Sequence, residues 1–467
     1  MKGFFFLVSL LVLNFLLSTN ISGASFEVYQ ITSACSGGGA SISIEDITCS
    51  YPITVNETTT GFSQTFSSPP STLVISNLYI GPHVIDIEDG SGIHHYSTII
   101  ITLRLPYSNY FSTAKMPTIL PLNAVMDFCA DPSSISDSYE AFRDAANFIN
   151  ARGGKCSFYI PGGNYKVDPQ KIGSLMPNYN HNSTIMHFTN STEDVEVYGD
   201  IDINGNNTSI ITYASFQKLG YFTNSVCTTA VNTTAGFQAT PGTFFYLRNC
   251  KYINIHDIII DGNIKDGTFI LGGNSGAYNG DFPVYELNNS GIKINDDCTD
   301  IILNHIEANY FSLDGLLILK MYGGNAPRNI SIINSKFKFN GRNAFSWVAG
   351  KNLNVQDCEF SFSGYDGFID GVCGGLDIEP DENKTAEDGV FTNCIFYNNR
   401  GYGMATVFDI NLAKITRNVQ FIDCMFYDID KYRNSYGIHN TGEGIHFNNC
   451  KIFANVFNSN YKISSSP

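Results

Sequence analysis

The chain is short of charge. Only 15% of its 467 residues are Asp, Glu, Lys or Arg, where ~25% is usual in a soluble protein. That shortage excludes coiled coils and long amphipathic helices, whose solvent faces need those residues. Cations are the scarcer sign, 27 against 43, and the net charge is −16. Such a surface repels the phosphates of nucleic acid, which is therefore not an expected partner. It also disfavours a strongly anionic polysaccharide, unless a basic patch or a bound cation reverses the field locally. There is a single Trp and no Cys-x-x-Cys pair, so no zinc-binding spacing occurs. A phosphate-binding glycine loop and a Gly-x-Ser-x-Gly elbow are also missing, which leaves nucleotide enzymes and the common serine hydrolases unsupported. Long apolar runs are missing beyond the first residues, so no membrane span is expected.

What is present begins with an export signal. Lys2 supplies a positive end, Phe4 to Leu17 an apolar stretch broken by Asn14, and Ser22-Gly23-Ala24 a small-residue cleavage site; the stretch is shorter than the ~20 residues of a spanning helix. Residues 1–24 read as a signal peptide and the protein as secreted and extracellular, where disulfides and N-glycans form. Asn56, Asn182, Asn190, Asn206, Asn207, Asn232, Asn288, Asn329 and Asn383 each open an Asn-x-Ser/Thr sequon. Hydrophobic residues are 43% and aromatics 13%, enough for a substantial core.

Residues 25–104 form short alternating runs separated by Gly, Pro, Ser and Thr: Ser41 to Ile44, Thr72 to Ile75, His83 to Ile87 and Thr98 to Leu103. This pattern predicts a small antiparallel β-sandwich. The stretch from Ser76 to Gly90 resembles the end of the immunoglobulin-like repeats of surface adhesins. Cys35 and Cys49 are candidates for a local disulfide. Residues 105–120 read as a linker.

From residue 121 the chain changes character. Asp127-Phe128-Cys129-Ala130-Asp131 leads to a helix near 137–151, with Asp137 as N-cap, Glu140 three residues on, and Gly153-Gly154 ending it. A strand from Ser157 to Ile160 and then Pro161-Gly162-Gly163-Asn164-Tyr165 follow. This succession resembles the opening of pectin-lyase-like right-handed parallel β-helix proteins, a superfamily of polygalacturonases, pectate lyases, epimerases and phage tailspikes. The resemblance implies a capping helix that closes the first rung of a solenoid, which would otherwise expose its apolar interior. Cys129 and Cys156 stand at that cap where the superfamily usually has small residues, and a disulfide between them is proposed on that ground. Beyond 190, short strands recur. The unit of a polar residue, Ser or Cys, any residue and Phe appears at Ser335, Cys358, Cys394 and Cys424, and with one extra residue at Cys450, at gaps of 23, 36, 30 and 26. Irregular gaps between like strands are the mark of a parallel β-helix with variable turns. The cysteines then stack one rung apart, either as a packed thiol ladder or as cross-rung disulfides. The expected fold is all-β: a right-handed parallel β-helix over 121–467, with its capping helix, preceded by the sandwich.

Each rung has a further strand. Alternation along these strands puts Leu316, Ile318, Leu376, Ile378, Met404 and Ile438 inward, and Phe345, Trp347, Asp377, Glu379 and His439 outward. Aromatic faces beside carboxylates suit sugars, whose C–H faces stack on rings while carboxylates take hydroxyls. Preceding turns bring Arg342, Tyr365, Asp366, Arg400 and Tyr402 to the same region. The run from Gly374 to Pro380 resembles a motif of right-handed β-helix repeat proteins of unassigned activity. The candidate catalytic residues are Asp377, Glu379, Asp366, Arg400 and Tyr402; Trp347, Phe345, Arg342, Tyr365 and His439 are candidate substrate contacts.

Three readings follow. A glycoside hydrolase would use Asp377 with Glu379 or Asp366 as acid and base. A polysaccharide lyase would use Arg400 or Tyr402 as base, with calcium held by Asp377, Glu379 and Asp381 as candidate cofactor. The third is a non-catalytic glycan-binding, matrix or adhesion protein. The blander possibilities are a plain acidic turn at 377–382 and a Trp347 packed under a loop. Asp296-Asp297 is like the Asp-Asp pair of polygalacturonases, but the Gly-His-Gly and Arg-Ile-Lys elements are missing, so polygalacturonase proper is rejected. The expected partner is a polysaccharide or other glycan.

Overall fold

A computed structural model describes residues 25–30, 40–48, 51–57, 61–68, 73–78, 81–92, 94–101, 119–170, 184–202, 207–222, 237–265, 267–271, 289–365, 373–427, 436–453 and 456–458. The expected signal segment (residues 1–24), Cys35 and Cys49, nearly all of the expected linker at 105–120, and Asn182, Asn206, Asn232 and Asn288 lie outside them. Of the remaining sequon residues, Asn190, Asn207, Asn329 and Asn383 are exposed and Asn56 is half-buried. Among the described residues no helix is long and apolar enough to cross a membrane.

The chain divides into two compact units, Met1–Pro106 and Tyr107–Pro467. The first holds two antiparallel sheets, one of Ser25–Gln30, Ala40–Thr48 and Leu73–Leu78, the other of Phe62–Phe66, Ile53–Glu57, Gly81–Glu88 and His94–Ile101. Alternate residues of both sheets (Ile42, Ile44, Leu73 and Ile75 with Ile53, Val55, Ile85 and Ile87) are fully buried against one another. That is the sandwich the alternating runs predict, with further strands at Ser25–Gln30, Ile53–Glu57 and Phe62–Phe66.

The second unit opens with its cap. Asn123 Oδ1 accepts the N–H groups of Val125 and Met126 to start the short helix Ala124–Phe128. The main helix is Tyr139–Ala151. Asp137 lies one residue too early to be its N-cap, which is Ser138, yet its Oδ1 accepts the Tyr139 N–H at 3.0 Å and satisfies a free donor of the first turn. Glu140 turns to Arg143 instead of back to the cap. Gly153 (φ 72°) and Gly154 (φ 109°) end the helix in the left-handed region, where a side chain is disfavoured. The buried face carries Phe142, which meets Phe158, Tyr165 and Phe244 edge-on at 5.6–6.5 Å. The expected Cys129–Cys156 disulfide is not formed: Cys129 is disulfide-bonded, whereas Cys156 is a free thiol buried in the first rung.

The rungs behind the cap build three columns of parallel strands. The first two merge into an 18-stranded sheet through the long strands Lys251–Asp261 and Thr299–Asn309, which bend through both; the third is a nine-stranded sheet from Met186–Thr189 to Val456–Asn458. Its pairings are parallel throughout. This is a parallel β-helix, and crossovers between parallel strands turn right-handed as a rule. The repeated sequence unit has a physical explanation. Its polar residue is the corner between the first two columns, with Asn334, Asp357, Asn393, Asp423 and Asn449 all at φ 50–55°, a conformation Asn and Asp tolerate. Its Phe stacks inward on the next rung: Phe337–Phe360, Phe360–Phe396 and Phe396–Phe426 lie 5.5, 5.0 and 4.8 Å apart. The Cys450 rung differs. Ile452 pairs with Phe426 and takes the inward place, so Phe453 is exposed.

Between corner and Phe stands the cysteine column. Cys358, Cys394, Cys424 and Cys450 are all free thiols, so the ladder forms and the cross-rung disulfides do not. Each S–H donates to the carbonyl two residues earlier. Hydrogen bonding to Cys358, with burial, pushes the Cys394 thiol well up, and Cys424 is raised in the same way by Cys394. Only thiolates react with thiol reagents. Cys394 and Cys424, and Cys358 by its burial alone, are expected to resist alkylation in the native protein at neutral pH and to react in guanidinium, as peptide mapping would show. Native labelling of any of these three would refute the packing described.

Candidate functional site

The outward face of the third sheet positions the chemistry. One outward column runs His187, Tyr246, Lys293, Leu317, Ser346, Asp377, Ala405, His439 in register from rung to rung. This register corrects the expected face of two aromatics. Phe345 pairs with Leu316 and Leu376, and Trp347 with Ile318, so both belong to the inward columns and are buried. Phe345 stacks on Phe360 at 5.9 Å. Trp347 fills space left by two glycines: a Cβ at Gly350 would lie 2.6 Å from its Nε1, and one at Gly389 2.7 Å from its Cζ3. Neither residue is a substrate contact; both are core.

Asp377 sits half-buried on Gly374–Ile378 with small neighbours on either side, Ser346 and Ala405. Asn343 holds it in place. The Asn343 Nδ2 donates to Asp377 Oδ2 at 3.3 Å and to Ser346 Oγ at 2.9 Å, while its Oδ1 accepts the Gly374 N–H at 2.8 Å. Burial, then the nearby Glu379 charge, push the Asp377 carboxyl up to about 7, against the opposing pull of Arg342. Asp377 thus keeps its proton up to about neutral pH, as a general acid must.

Beside it lies a buried ion pair. Arg342 Nε and Nη2 donate to the two oxygens of the fully buried Asp314 at 2.9 and 2.5 Å, and the Asn343 N–H joins at 3.2 Å. Arg342 is therefore committed to Asp314, and this bidentate pair is its first role. Lys293 completes the group. Burial lowers its ammonium to about 8, with Asp314 opposing the shift and Arg342 reinforcing it. Asp314 and Lys293 were not singled out from the sequence. The available signals were a lysine at the outward position of Ile292-Lys293-Ile294, and the alignment of Asp314-Gly315-Leu316 with Asn343-Ala344-Phe345 and Gly374-Gly375-Leu376.

The other expected site residues divide. Glu379 stands exposed just past the strand end, 4.0 Å from Lys414 Nζ. Tyr402 and His439, on neighbouring rungs, stack at 5.7 Å and 21°, and burial holds His439 below the usual histidine value. Tyr365 and Arg400 are half-buried at the corner preceding the sheet, Tyr365 edge-on to Phe362 at 6.3 Å. Asp366 lies outside the described residues. Asp381 is exposed in a turn and ion-paired to Lys384. Asp377, Glu379 and Asp381 do not form the expected calcium cage: among the described residues no three His, Cys, Asp or Glu side chains converge as a cation site. The reason is local, since the strand ends at Ile378 and Asp381 opens a separate turn that closes on Lys384.

No family model matches the chain, and no curated protein matches it. Solved structures do resemble it. ORF18 of Geobacillus virus E2 is 14% identical over 79% of this chain and 54% of its own, with a TM-score of 0.36. An iota-carrageenase bound to iota-carrageenan fragments is 13% identical over 70% and 59%, also at 0.36. A polygalacturonase from Erwinia carotovora ssp. carotovora is 12% identical over 77% and 100%, again at 0.36. The chain spans about half the length of the viral protein and 59% of the carrageenase. By its own strand pairing the chain is a parallel β-helix protein, the architecture that the likeness of residues 121–167 to pectin-lyase-like proteins implies.

Proposed function

We propose that the protein is exported and cleaves a carbohydrate polymer lying along the outward face of the third sheet, with Asp377 as general acid. The observation that carries this is a half-buried carboxyl, oriented by Asn343 and raised to about 7, in an open column floored by Ser346 and Ala405. A straight face with a ~4.8 Å repeat presents equivalent positions to successive units of a linear polymer. In the hydrolytic form, the Asp377 proton passes to the glycosidic oxygen as its bond to the anomeric carbon breaks. Water adds to that carbon and gives its proton to Glu379, the carboxylate whose charge acts most on Asp377. A lyase is the second reading. It is favoured by Lys293, whose lowered ammonium supplies neutral amine as base near pH 8.

The test is incubation of the full chain with a panel of neutral and acidic polysaccharides. New reducing ends without ultraviolet-absorbing unsaturated ends are expected. Unsaturated ends would replace hydrolysis by the lyase reading, and no cleavage across the panel would leave a glycan-binding protein without catalysis.

A further inference from the structure

Past the strand ends of the third sheet lies a second constructed feature, spread over the rungs two to four before that of Asp377. Asp296, almost wholly buried, accepts the Met321 N–H with Oδ1 and the Tyr322 N–H with Oδ2, both at 2.8 Å. Its neighbour Asp297 accepts from the backbone and side-chain nitrogens of Asn325 at 2.8 and 2.7 Å. The turn after Leu316–Ile318 is thereby pinned at both ends. It displays Tyr322, which is 52% exposed. The Arg248 guanidinium backs the ring at 4.4 Å from its centroid.

Burying a carboxylate to hold a surface turn is costly unless both oxygens are satisfied, and here both are used on the turn that carries the ring. A tyrosine fixed in this way loses little freedom when something stacks on it. Arg248 covers one face of the ring, and the exposed remainder is left to a ligand. A flat apolar ring face matches the C–H face of a pyranose. The rung of Leu317 precedes that of Asp377 by two pairings, or ~10 Å at the spacing of parallel strands, a span that a short oligosaccharide bridges.

We infer that Tyr322, clamped by Asp296 and backed by Arg248, is the stacking platform of a sugar-binding subsite upstream of Asp377. This rests on the proposed action on carbohydrate polymers and adds where the chain of sugars is held.

Affinity electrophoresis of the full chain through gels containing each polysaccharide of the panel tests it. The native protein should be retarded by at least one polymer. Tyr322→Phe should keep that retardation, and Tyr322→Ala should weaken it about tenfold, as loss of an aromatic stacking partner does, with an unchanged thermal midpoint. In the cleavage assay KM should rise with kcat little altered, as for uniform binding. Native-like retardation of Tyr322→Ala would overturn the platform while leaving the proposed function intact. A native protein retarded by no polymer would overturn both.

Discussion

Replacing Asp377 by asparagine is expected to lower cleavage by about 10²- to 10⁴-fold, the usual contribution of a general acid, while making the folded chain more stable above neutrality. The first effect follows from the lost proton. The amide keeps the shape and the Asn343 contact region but cannot protonate a leaving oxygen. Native kcat/KM should therefore fall as pH rises through about 7, where Asp377 ionises, and the residual activity of the variant should lack that limb. The second effect follows from linkage. The folded state raises this carboxyl above its ordinary 3.8, so its favourable contribution is complete below that value and is lost as pH rises through about 7. Above that pH the native chain holds a charge in a poorly solvated place, and asparagine removes it. A gain on the order of 1 kcal/mol at about pH 8, and none at about pH 4, should be seen in urea titrations of the two proteins. Asparagine retaining more than about a tenth of native activity would exclude Asp377 as the acid.

Trp347→Ala is expected to cost about 3–5 kcal/mol of stability, the range for removing a large buried aromatic. A Trp on a glycan-binding surface would cost less than about 0.5 kcal/mol. Because this is the chain's one Trp, its fluorescence reports the site directly. Native emission should be blue-shifted, resistant to acrylamide and unchanged by any polysaccharide, shifting red only on unfolding. Gly389→Ala is expected to destabilise by the same route, since its new methyl would meet the indole at 2.7 Å. A solvent-quenched native Trp would place the ring outside and restore it as a sugar contact.

The contrast between Asp377 and Trp347 shows what could be read in advance. Leu376 and Ile378 face inward and Asp377 outward as strand alternation predicts, because a run of apolar residues at every second position settles parity within one strand. On Asn343–Trp347 the same rule is ambiguous. Every residue of that strand is buried, and aromatic residues serve equally as core and as sugar platforms. Chemistry then suggested the wrong face. The Cys129–Cys156 pairing failed for a related reason: proximity along the cap does not reveal that Cys156 points into the first rung.

The solenoid is legible in the amino-acid order alone. The capping helix, the Asn and Asp corners and the inward Phe and Cys ladders are all local patterns repeated rung by rung, and local patterns survive any change in the turns between them. The candidate site depends on how the rungs stack. Lys293, Asp314, Arg342 and Asp377 come from four successive rungs separated by turns of irregular length. Which of them meet, which is buried enough to change its charge, and which spends itself on an ion pair depend on the strand register. No spacing in the chain encodes that, because the same residues slipped by one position would point to the opposite side of the sheet.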